Sequence, residues 1–121
     1  MKRILLVAGI AEAATGAGLL IAPSLVGRLL LGEELAGVAV PVARVLGIAL
    51  IALAIACRSG RTGLIGMLVY SATVTLYLGY LGLAGGYGGT LLWPAVVAHA
   101  AINAGCVMSL RRAQPPHDPP A

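Results

Sequence analysis

The sequence contains no phenylalanine, one tryptophan and four tyrosines, and only four of its 121 residues are acidic. Soluble domains devote roughly a quarter of their residues to charge, whereas here charged residues make up 10%. That shortfall excludes a water-covered surface over most of the molecule. Cysteine is equally scarce. Cys57 and Cys106 stand far apart with no C-x-x-C, which excludes a zinc ribbon and a vicinal-thiol redox pair. It also argues against a structural disulfide, because both cysteines fall toward the same, cytoplasmic ends of their spans. A serine nucleophile with its histidine and aspartate in order is missing, as are an intramembrane pair of carboxylates and metal-ligand spacing, so no catalytic set is legible.

What fills the chain instead is aliphatic: hydrophobic residues reach 60% and the mean hydropathy is +0.98. A membrane protein follows. A helix needs about 20 apolar residues to cross the hydrocarbon core, and four stretches meet that length, near residues 4–23, 38–57, 63–83 and 90–110. The expected fold class is therefore all-α, a polytopic bundle of four transmembrane helices forming one domain over 1–110. Residues 111–121, "RRAQPPHDPPA", form a disordered Pro-rich tail that cannot extend the last helix. "MKRILLVAGIAEAA" can also be read as a secretory signal, but its apolar run continues past the Ala-x-Ala and suits a first span better.

The net charge of +4 is not a nucleic-acid patch. If four spans alternate, Lys2, Arg3, Arg58, Arg61, Arg111 and Arg112 gather on one side, while the other side has only Arg28, offset by Glu33 and Glu34. The positive-inside rule puts that basic side, with both termini, in the cytoplasm of a bacterial inner membrane.

Small residues recur every four positions at Gly9, Ala13 and Ala17, and again at Ala101, Gly105 and Ser109. Such stripes are expected to be helix contact faces. After Pro23, "SLVGRLLLG" suits either a short helix lying in the outer headgroup region as a lid or an extension of span one. "GGYGG" at 85–89 is expected as a tight outer connection.

Polar groups inside the spans carry the functional question. Glu12 interrupts "GIAEAATGAGLL", and an ionised carboxylate at the bilayer centre costs roughly 2.5–3.5 kcal/mol on insertion scales. With it come Arg44, Tyr70, Thr73, Thr75, Tyr77, His99 and Asn103. At about 1.5 Å per residue, Glu12, Tyr70 and Asn103 lie roughly 10–12 Å from the cytoplasmic edge, Arg44 and Tyr77 about 9 Å from the outer edge, and His99 about 13 Å from it. Two polar layers are expected, facing the bundle interior, with a cavity open beneath the 24–31 segment. Arg44 is the intramembrane cation that best answers Glu12, and an ion pair between them, direct or through Tyr77, His99 or a water, is expected to join spans one and two. The candidate ligand-binding residues are Glu12, Arg44, Tyr70, Tyr77, His99 and Asn103. His99 lacks a second intramembrane histidine for haem, so neither cofactor nor metal is expected.

With a glutamate in its first span, a Pro after it, and "VARVLGIALIALAIAC", "LYLGYLGLAGG" and "LLWPAVVAHA" in the later spans, the chain resembles the small DoxX/DoxD-like bacterial membrane proteins. That resemblance implies a four-helix bundle, in some members tied to quinone or thiol redox systems. "AEAATG" is also similar to the first-span motif of small multidrug resistance transporters; this likeness would make Glu12 the shared proton and cation site of a dimer. The leading expectation is a non-enzymatic membrane protein whose polar pocket binds a small amphipathic or lipid-like molecule, or which serves a larger membrane complex. Its partners would be membrane lipids, such a ligand, and further copies or subunits. A proton-coupled dimeric transporter and a quinone-linked subunit are the alternatives.

Overall fold

A computed structural model describes residues 2–114; of the tail expected over 111–121, Arg111 and Arg112 instead continue the last helix, and residues 115–121 lie outside the described residues. Five helices follow one another: α1 (Lys2–Ile21), α2 (Pro23–Leu31), α3 (Ala39–Ala56), α4 (Gly60–Leu83) and α5 (Leu92–Arg112). Among the described residues there is no strand. α1, α3, α4 and α5 are each long and apolar enough to cross a membrane. Large aliphatic side chains such as Leu6, Ile10, Val45, Ile55, Leu76 and Val97 stand exposed around the bundle, as a lipid-facing surface requires.

Proline decides where α1 stops. Ala22 precedes Pro23 and is held out of the helical region at φ −137°, ψ 63°, because a proline crowds the residue before it. Pro23 then begins α2, where a missing N–H is no loss. The 24–31 segment is thus a separate helix, and it touches α1, α3 and α5 across one end of the bundle. Its C-terminus is closed by Gly32 at φ 85°, whose N–H donates to Arg28 O at 3.0 Å. Ser24 Oγ donates to Leu35 O at 2.8 Å, tying the following loop back onto the helix. Arg28 pairs with Glu34 on the surface.

The glycine-rich connection after α4 is anchored to this cap. Gly88 N donates to Leu31 O at 3.2 Å and Leu91 N to Leu29 O at 2.7 Å, giving α2's last carbonyls the partners that a helix end otherwise lacks. A Cβ at Gly89 would land on the backbone of Leu29 and Leu30. The approach is open only to glycine.

Two helix pairs make up the bundle, α1 against α3 and α4 against α5, with looser contact of α1 to α4 and α5. The first pair closes at a glycine crossing. A Cβ on Gly16 would sit 2.6 Å from Gly47 O, and one on Gly47 would sit 2.5 Å from Gly16 O. Gly9 packs on Ala54 farther along. The contact stripe on α1 therefore follows Gly9 and Gly16, while Ala13 and Ala17 are only half-buried and Ala101 of α5 is exposed. Seven-residue spacing keeps both glycines on one face, where backbone-to-backbone packing does what side-chain burial cannot do in lipid. Between the pairs, Leu5, Ala8, Cys57, Leu64, Met67, Ile102 and Cys106 form one apolar core near the basic end. Leu19, Ala43 and Leu50 form a second near the cap.

Candidate functional site: a buried polar cluster at the seam

Glu12 lies on α1 between these two cores and is 2% exposed. It faces α4 and α5 across the seam. Tyr70 of α4 donates its hydroxyl to Glu12 Oε2 at 3.0 Å. His99 of α5 brings Nδ1 to 3.7 Å from Oε1, beyond hydrogen-bond length. The same Nδ1 is 3.5 Å from Ser71 Oγ, and the His99 ring meets the Tyr70 ring edge-on, centroids 5.8 Å apart at 73°.

One turn along, Asn103 Nδ2 donates to Thr75 Oγ1 at 3.4 Å, and Thr75 itself donates to Ser71 O at 2.7 Å. Asn103 Oδ1 is buried with no hydrogen-bond partner among the described residues. The cluster thus joins α1 to α4 and α5 through one carboxyl group, one imidazole, one phenol and three hydroxyl-or-amide side chains, with one amide oxygen left without a donor. Thr73 is exposed and donates back to Val69 O.

Four of the six candidate residues, Glu12, Tyr70, His99 and Asn103, come together here. Of the outer layer expected from depth only His99 reaches the inner one, since by the same count it lies roughly 5 Å from Glu12 along the membrane normal in a core about 30 Å thick. Ser71, fully buried, belongs to the cluster although the sequence reading passed over it. Its signal was faint: a serine in a helix can satisfy itself on the preceding turn, and only its place beside Tyr70 and four before Thr75 marks it.

Arg44 and Tyr77 do not join. The expected Glu12–Arg44 ion pair is absent among the described residues: Arg44 is exposed, and Glu12 meets His99 and Tyr70 instead. The glycine crossing is the cause. α3 buries Ala43, Gly47, Leu50 and Ala54, and with Gly47 pinned on Gly16 the helix turns Arg44 outward. An arginine near a span end can reach headgroups with its guanidinium while its stem stays in apolar surroundings. Tyr77 is 60% exposed on α4, as is Tyr80, which fits an interfacial aromatic rather than an interior one.

The groove found is not the one expected beneath α2: it lies at the opposite end of the bundle, about 490 Å³ between the start of α1 and the end of α5. Among the described residues no three His, Cys, Asp or Glu side chains converge as a metal site. Comparison of the chain with family models, with curated proteins and with solved structures returns no match.

Proposed function

We propose that this chain is a membrane protein that recognises a small amphipathic molecule at the seam between its two helix pairs, with Glu12 as the recognising group. One observation carries this reading: the buried cluster has an acceptor left over beside the carboxyl group. Asn103 Oδ1 has no partner among the described residues, and Glu12 Oε1 meets His99 only at 3.7 Å. A buried acceptor without a donor costs about 1–3 kcal/mol, so the cluster favours a molecule that supplies an N–H or O–H donor. The apolar cores on either side suit the rest of that molecule. In this reading both termini face the cytoplasm of a bacterial inner membrane, supported by the six basic residues on their side. The DoxX/DoxD-like resemblance is retained as a proposal about kinship.

The test uses the full chain in lipid nanodiscs titrated with 1-naphthylmethylamine, an apolar fluorescent ring bearing an ammonium donor, against 1-methylnaphthalene, which has no donor. Saturable binding of the amine is expected, weakened about tenfold or more by Glu12→Gln, as the loss of a hydrogen bond to a charged group, about 1.5–3 kcal/mol, implies. Equal binding of the two probes, or an unchanged affinity in Glu12→Gln, would overturn the reading.

A second reading, proton-coupled transport, is favoured by one specific finding: no arginine neutralises Glu12, and the side chain beside it is an imidazole, a proton carrier. Proteoliposomes given a pH step separate the two. Uphill movement of the amine that Glu12→Gln abolishes would establish transport; binding without movement would leave recognition alone.

A further inference from the structure

The groove at the basic end has a chemistry unlike the rest of the bundle. Lys2, Arg3, Ile4, Gly105, Met108, Ser109 and Arg112 line it: three cations and a hydroxyl at the rim, apolar groups below, and no acid. Gly105 brings the two helices together, since a Cβ there would fall 2.6 Å from Ile4 Cδ1. That approach sets Lys2 and Arg3 opposite Ser109 and Arg112. Among the described residues no carboxylate pairs with these three cations, so they repel one another.

We propose that this groove holds one anionic phospholipid, its phosphate on Lys2, Arg3 and Arg112 and the start of an acyl chain along Ile4, Gly105 and Met108. The volume, about 490 Å³, falls within the usual range of about 300–1,000 Å³ for small-molecule sites. From Arg112 back to Gly105 the groove follows about 10 Å of helix into the spanning region. A free phosphate has no use for that apolar length; a lipid does. Guanidinium groups suit a phosphate because their paired donors match its oxygens.

Native mass spectrometry of the full chain released from micelles tests this, with phosphatidylglycerol and phosphatidylcholine of the same acyl chains as probes. One phosphatidylglycerol should stay bound in preference to phosphatidylcholine. Arg3→Gln with Arg112→Gln should weaken it about 30-fold, which is about 2 kcal/mol, two basic side chains at about 1 kcal/mol each near an anionic surface. Arg58→Gln with Arg61→Gln removes the same charge from the α3–α4 connection and the first turn of α4 and should leave the lipid in place. Met108→Trp keeps every charge and fills the apolar part of the groove; it too should displace the lipid. All these side chains are exposed, so the variants should fold, and the helical circular dichroism of each checks that they do. Equal losses in the two arginine pairs would reduce the effect to net charge and overturn the site. Equal retention of phosphatidylcholine, or full displacement by millimolar inorganic phosphate, would overturn the lipid.

Discussion

Removing the hydroxyl of Tyr70 should weaken the protein only while Glu12 is present. In Tyr70→Phe the ring keeps its edge-on packing against His99, and what disappears is the 3.0 Å bond to Glu12 Oε2. Hydrogen bonds to charged groups contribute about 1.5–3 kcal/mol in water-soluble proteins, but cycles between membrane helices average about 0.6 and reach about 1.7 kcal/mol. The coupling between Tyr70 and Glu12 should fall in that second range. Glu12→Met, by contrast, replaces a buried carboxyl group by an apolar side chain of similar length and lifts a desolvation cost of roughly 2.5–3.5 kcal/mol. It should be as stable as the wild type or more so, and the double variant should match it. Unfolding in mixed micelles of rising dodecyl sulfate content measures all four proteins. The single tryptophan, Trp93, whose ring stands over Gly82 of α4, reports separation of the second pair. A coupling inside the additivity error of about 0.3–0.5 kcal/mol would refute the reasoning. So would a larger coupling of Glu12 to Arg44 in the parallel cycle with Arg44→Ala, which should show none.

Gly47→Ala should destabilise the chain by about 1–3 kcal/mol, the usual range for overpacking, because its Cβ meets the carbonyl of Gly16 at 2.5 Å. Gly79→Ala, on α4 with nothing within 4 Å of the new methyl, should be neutral or gain up to about 1 kcal/mol from helix propensity; the same micelle titration compares them. For topology, Tyr87→Cys in a background with Cys57→Ala and Cys106→Ala should react with an impermeant maleimide added outside intact cells. Labelling of that position only after lysis would reverse the proposed orientation.

The spans were legible because crossing the hydrocarbon core takes a length of apolar helix that no short connector can imitate. Their ends were less so: α1 begins at Lys2 and α4 at Gly60, each taking in polar residues that the hydrophobic window left out. Glu12, Tyr70, His99 and Asn103 were legible as interior groups on the ground that a polar group facing lipid goes unpaired. That same rule failed for Arg44 and Tyr77, whose length or amphipathic ring lets the polar end reach the interface from an outward-facing position. Which way α3 turns depends on one glycine among 17. Nothing in the composition singles out Gly47, and the choice between Arg44 inside and Arg44 outside rested on it.

The bonds from Gly88 and Leu91 to the carbonyls of Leu31 and Leu29 also bear on the order in which the molecule can be completed. A ribosome delivers α2 long before the loop that satisfies its last turn, so during synthesis the end of that helix must borrow water as its partner. The nascent first pair is complete in its glycine crossing yet unfinished at its cap. Arrival of residues 88–91 exchanges those waters for main-chain donors, and the last connection made is the one that seals the first half.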